Sequence, residues 1–124
     1  MLFRSAFLFG LEQLLSQAAQ LAPVFVLGLT PVNEDVMPYA GCLWYSNGDV
    51  ARANRLIEEA CLEKDVPFLR LWDGDVVGAQ WLARLSPDGL HCNSDGHRWI
   101  FERLRSWPDL LQWASLPPEG SCKL

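Results

Sequence analysis

The chain has 124 residues, enough for one domain of ordinary size; half of it is hydrophobic, with six Trp and six Phe, which is core-forming composition and not that of a disordered tail. Its formal charge of −5 and isoelectric point near 4.8, with no basic cluster, exclude nucleic acid and an anionic bilayer surface as natural partners. No apolar run reaches the ~18 residues of a membrane span.

The first element is an amphipathic helix over residues 2–21. Phe3, Phe7, Leu11, Leu14, Leu15, Ala18 and Leu21 recur at helical spacing, while Glu12, Gln13, Gln17 and Gln20 face away. Arg4 followed by SAFLFGL imitates a signal peptide, but Glu12 and Gln13 cut the apolar stretch short and the helical period continues past them. Pro23 ends the helix. VFVLGL, residues 24–29, is an unbroken apolar run that suits a strand buried on both faces, as in a parallel sheet. Residues 30–48 read as a loop, punctuated by Pro31, Pro38, Gly41, Gly48, Asn33 and Asn47.

A second helix is expected over 49–64, with Asn47 or Asp49 as cap and Val50, Ala53, Ile57, Ala60 and Cys61 as its apolar stripe. VPFLRLW, residues 66–72, reads as a second strand. Residues 73–87 are irregular, with one helical turn near GAQWLARL. The last helix is placed at 94–106, capped by Asn93 or Ser94. Ile100, Phe101, Leu104 and Trp107 form its inner face, and Arg98, Glu102, Arg103 and Arg105 its wet one. Residues 1–107 thus make the domain, and 108–124 a loosely held tail. Helices alternating with apolar strands mean α/β with a parallel sheet, although two strands are too few for a complete one.

Cys42, Cys61, Cys92 and Cys122 are irregularly spaced and form no C-x-x-C pair. They read as free thiols in a reducing, cytoplasmic compartment, and zinc spacing is absent.

The stretch SPDGLHCNSDGH, residues 86–97, carries the chemistry. A histidine general base needs one ring nitrogen open toward its target and the other donating to an acceptor that fixes the tautomer. Asp88, three residues before His91 across a turn that Gly89 eases, can be that acceptor. The plainer reading is an Asp-Gly turn ahead of a helix, with His91 a partly buried polar residue; D-x-x-H alone does not decide between them. His97 is read as helix packing. His91, Cys92 and His97 do not converge as metal ligands.

The residues around the pair resemble the last block of the SGNH/GDSL esterase–lipase family, which reads Asp-x-x-His, often D-G-L-H-P-N-x-x-G-H. Cys92 stands where proline is usual; Asn93, Gly96 and His97 match. VFVLGLTPVNE resembles the family's fourth strand and following loop. ARANRLIEEACLEKDVPFLRLW resembles its next helix and fifth strand, with Asn54 at a position where the family often has Tyr-Asn. The resemblance covers about residues 3–106. It implies a flavodoxin-like three-layer α/β/α sandwich, hydrolysis of acyl esters by a serine nucleophile, His91 as general base, Asp88 as its orienting partner, and no cofactor or metal.

The family's Gly-Asp-Ser and Gly-x-Asn blocks have no counterpart in this chain. Ser86 stands too close to Asp88 in sequence to be presented from a separate strand end, and Ser46 is the one loop serine worth testing. The leading expectation is the C-terminal part of such a hydrolase, inactive alone, acting on a small acyl ester once completed by an N-terminal part. The alternatives are a non-catalytic protein-binding module of the same descent, and an unrelated small α/β domain with a coincidental D-G-L-H. The two strands would lie side by side at one sheet edge, which exposes apolar surface and favours self-association.

Overall fold

The computed structural model describes residues 2–115, with side chains from Arg4 onward. These fall into two compact units, one of Met1–Pro31 with Tyr45–Asp75, the other of Val32–Trp44 with Val76–Leu124.

In the first unit, α1 (Leu2–Leu21) packs on α2 (Asn47–Glu63), and both lie with a two-stranded parallel sheet of β1 (Val26–Leu27) and β2 (Phe68–Leu69). Val26 pairs with Phe68 and Leu27 with Leu69. Flanking bonds from Val26 N–H to Pro67 C=O (3.0 Å) and Gly28 N–H to Leu69 C=O (2.8 Å) extend the ladder slightly beyond the strands. The chain is therefore α/β with a small parallel sheet. Leu15, Ile57, Ala60 and Cys61 form the core, with Phe7, Leu8, Leu11, Val24, Val26, Val66 and Phe68 packed against it. Burial of Leu15 and of Ile57 contributes about 1.5–3 kcal/mol each.

Three expectations change here. Leu14 and Leu21 are exposed, because the apolar stripe of α1 is broader than the face that meets α2, and both leucines lie on its margin. The strand around β1 is not buried on both faces: Val24 and Val26 pack on the core while Leu27 and Leu29 on the alternate face are exposed. The cap of α2 is Ser46, whose Oγ accepts from Asp49 N–H at 3.1 Å; Asn47 and Asp49 lie inside the first turn, where the acidic Asp49 suits the helix dipole. At the other end Asp65 (φ +55) turns the chain and Val66 N–H closes on Cys61 C=O at 2.8 Å.

The second unit begins with a 3-10 turn, Glu34–Val36, capped by Asn33. A tight hairpin follows, in which Tyr39 and Leu43 bridge across Ala40 (φ +54) and Gly41 (φ +78). Then come α3 (Ala79–Leu82), α4 (Ser94–Arg105) and α5 (Pro108–Ala114). Asn93 is the cap of α4. The Arg84 guanidinium lies 4.7 Å from the Trp81 ring and 4.4 Å from the Trp99 ring, which joins α3 to α4 by cation–π stacking. Val32, Leu85 and Trp107 are buried, and Ile100 and Leu104 are half-buried. Phe101, assigned to the inner face, is exposed, with Arg105 stacked over it. Helix α5 forms where the sequence shows only a proline-led tail. Pro108 fits the first helical position, which has no N–H to lose. Residues 116–124, and Cys122 with them, lie outside the described residues.

Candidate active site

The Asp88–His91 turn is closed at its base by an antiparallel bridge between Leu85 and Cys92. Ser86 N–H donates to His91 C=O (2.7 Å), and Gly89 N–H donates to Ser86 C=O (2.9 Å). Gly89 is required twice over. Its φ of +75° disfavours any side chain, and a Cβ there would collide with Val36 Cγ2 and come 3.0 Å from the Asn33 carbonyl oxygen.

Within this frame Asp88 uses both oxygens. Oδ1 accepts the backbone N–H of Leu90 (2.9 Å) and of His91 (3.0 Å), and Oδ2 lies 2.7 Å from His91 Nδ1. Three donors favour the charged carboxylate. The His91 side chain, then the His91 and Leu90 backbone N–H groups, hold the Asp88 carboxyl at about 2, below its ordinary 3.8. An ionised carboxylate accepts only, so Nδ1 carries the proton and the neutral ring offers Nε2 as a base. Nε2 has no hydrogen-bond partner among the described residues, and the His91 side chain is 62% exposed against 35% for Asp88. The Tyr39 ring meets the imidazole edge-on at 5.8 Å between centroids.

Asn93 ties this turn to α4. Its Oδ1 accepts Gly96 N–H (2.9 Å), and its Nδ2 donates to Ala83 C=O (2.8 Å) and Leu85 C=O (3.1 Å). Gly96 is buried where a Cβ would run into the Arg84 carbonyl oxygen, which explains a glycine inside a helix.

The structure thus brings Asp88 and His91 together. His97 is exposed on α4, not packed, because the helix turns Gly96 inward and His97 out. No group of three His, Cys, Asp or Glu side chains able to hold a metal exists among the described residues. Ser46 Oγ is engaged in capping α2, and Ser86 Oγ donates to Cys92 C=O at 3.2 Å. Cys42, Cys61 and Cys92 are free thiols; burial, then the Glu58 charge, pushes the Cys61 thiol up. No helix among the described residues is long and apolar enough to cross a membrane. A cavity of about 250 Å³ between α2 and β2 is lined by Asn54, Glu58, Arg70 and Trp72 among others, and holds neither Asp88 nor His91.

Two contributors were not visible in the sequence. Asn33, whose N–H donates to Gly89 C=O at 2.8 Å, and Tyr39 lie some fifty residues before the turn they touch. Asn54 stands out in the sequence only by its position. Its side chain accepts from Leu29 N–H (2.7 Å) and donates to Leu29 C=O (3.1 Å), pinning the end of β1 to α2.

A carboxylate-oriented imidazole with its far nitrogen open, set in a loop of an α/β chain after the last strand described, can accept a proton from a nucleophile brought to it. Residues 3–99 match the family described as GDSL-like Lipase/Acylhydrolase family, and the chain belongs to it. The matched range includes both Asp88 and His91 and stops inside α4. Neither the comparison with curated proteins nor that with solved structures gives a match.

Proposed function

We propose that this chain supplies the base half of a serine acyl-hydrolase site, on the end of a three-layer α/β/α sandwich whose sheet continues past β1. His91 takes the proton of an attacking serine hydroxyl at Nε2 and returns it to the leaving alcohol. It then activates water in the same way to release the acid. Asp88 holds the tautomer and stabilises the imidazolium. The substrate is a small carboxylic ester. The serine and the oxyanion donors come from outside these 124 residues, because no Gly-Asp-Ser or Gly-x-Asn sequence occurs among them. A base without a nucleophile in hydrogen-bond reach and without oxyanion donors leaves the acyl-transfer barrier almost untouched.

The observation that carries this reading is the 2.7 Å contact between Asp88 Oδ2 and His91 Nδ1, with Nε2 left open. Its test is p-nitrophenyl butyrate hydrolysis by the chain alone, where the expected result is no turnover above buffer. Turnover lost in both His91→Ala and Ser46→Ala would show that Ser46 is the nucleophile after all.

A second reading, an interaction module, is favoured by the apolar surface of the first unit, where Phe9, Leu14, Leu27 and Leu29 are exposed. A strand with a neighbour on one side invites pairing with another chain, and self-association through β1 is the form this takes. Light scattering should show a concentration-dependent mass that Leu27→Lys abolishes. A monomer at all concentrations with a sharp melt above about 60 °C would contradict self-association and favour a self-sufficient binding module over a hydrolase fragment.

A further inference from the structure

The segment between β1 and α2 grips the Asp88–His91 turn at three points. Asn33 N–H donates to Gly89 C=O at 2.8 Å. The Val36 methyl fills the place a side chain at Gly89 would need. Tyr39 sets its ring against His91, with centroids 5.8 Å apart and planes at 62°. The first two contacts fix the backbone of the turn. The third falls on the imidazole itself.

That contact matters because His91 is otherwise held at a single point. Asp88 fixes Nδ1, but one hydrogen bond leaves an exposed ring free to tilt about it and to leave the carboxylate for water. A wall beside the ring removes that freedom. Tyr39 is well placed to be the wall, since its own backbone is locked. Tyr39 N–H donates to Leu43 C=O at 2.7 Å, and Leu43 N–H returns to Tyr39 C=O at 2.9 Å. Ala40 and Gly41 between them take up the left-handed conformations that so tight a reversal needs.

We propose that Tyr39 is a positioning residue for His91: its ring edge holds the imidazole in the rotamer that keeps Nδ1 on Asp88 and Nε2 turned outward. The inference rests on the reading of His91 as general base and adds a residue from a distant loop to the Asp–His pair. Edge-to-face ring pairs are weak enough to be tuned and strong enough to bias a rotamer. The contact acts through the ring face and edge, so phenylalanine should serve as well as tyrosine.

The test is solution NMR of the full chain labelled at histidine nitrogen, following solvent exchange of the His91 Nδ1 proton. His97, exposed on α4, is the internal reference. In Tyr39→Ala the proton should exchange roughly three- to tenfold faster, with His97 unchanged, and Tyr39→Phe should retain the wild-type rate. Wild-type exchange in Tyr39→Ala would overturn the proposal, as would equal loss in Tyr39→Phe, which would assign the effect to the hydroxyl. If Tyr39→Ala disturbs His97, Tyr39→Leu takes its place. Disturbance of His97 in that variant as well would mean a general structural role and would also overturn it. Asp88→Asn separates the two readings. Unchanged His91 exchange in Asp88→Asn removes the dyad itself, whereas unchanged exchange in Tyr39→Ala removes only the part assigned to Tyr39.

Discussion

The turn that carries Asp88 and His91 and the strand β1 are both short, yet they are held in opposite ways. Around the turn nearly every polar group has a protein partner within a dozen residues: Ser86 with His91, Asp88 with Leu90 and His91, Asn93 with Ala83, Leu85 and Gly96. Strand β1 has one ladder neighbour, β2, more than forty residues away in the chain, and a side-chain anchor from Asn54. Local hydrogen bonds carry most of the turn's frame and Asn33, Val36 and Tyr39 complete it, so its geometry does not wait on the rest of a sheet. Strand β1 depends on what lies beside it, because among the described residues its backbone groups are paired along one edge only.

The comparison is tested most severely by one methyl group placed in each region. Gly96→Ala drives a Cβ into the Arg84 carbonyl oxygen and to 2.8 Å from Cys92 Cβ; neither neighbour is a flexible side-chain end, and the expected loss is about 3 kcal/mol. Gly28→Ala meets the Phe68 ring at 3.1 Å and the Leu69 carbonyl oxygen at 3.4 Å, contacts that a small shift relieves, for a loss of about 1 kcal/mol. Urea unfolding of the two variants measures the difference, and equal losses would erase the distinction between the regions.

A smaller effect separates the two asparagines. Asn93→Ala removes a helix cap and leaves two carbonyls short of a donor, an expected loss of about 2 kcal/mol. Asn54→Ala frees Leu29 backbone groups that water can reach, for about 1 kcal/mol or less. The same unfolding assay ranks them.

The smallest expected effect is read from pH. The folded Asp88 carboxyl sits at about 2, below its ordinary 3.8. A depressed carboxylate pKa stabilises the fold fully above the unfolded value, and that contribution disappears as pH falls through the folded one. The melting-temperature gap between wild type and Asp88→Asn should therefore be complete above about pH 4 and close between about pH 4 and pH 2. A gap that does not change over that window would mean that Asp88 is not ionised against His91.

These regions also differ in how far the sequence disclosed them. The Asp-Gly turn and the Asn93 cap are written in neighbouring residues, so spacing, Gly89 and the family resemblance together placed Asp88 and His91 in reach, and the cap placed α4 within a residue of its end. The α/β order was legible from apolar runs and helical periods. Strand length was not, because a ladder extends only as far as its partner does, and runs of six and seven apolar-rich residues pair over two. Which part of α1's apolar stripe turns inward was not legible, because Phe7, Leu11, Leu14, Leu15 and Leu21 share one broad face of which Leu15 alone is buried. Asn33 and Tyr39 were hidden for a different reason: their contacts with Gly89 and His91 are set by the tertiary path of a loop, and no local pattern announces them.

We propose His91, oriented by Asp88, as a general base that lacks a nucleophile and oxyanion donors. The most direct measurement joins the chain to a segment carrying Gly-Asp-Ser and Gly-x-Asn blocks and follows p-nitrophenyl butyrate hydrolysis. Turnover is expected in the joined protein and none in the chain alone, falling by about three orders of magnitude or more in His91→Ala and substantially in Asp88→Asn. Turnover that His91→Ala leaves intact would contradict it.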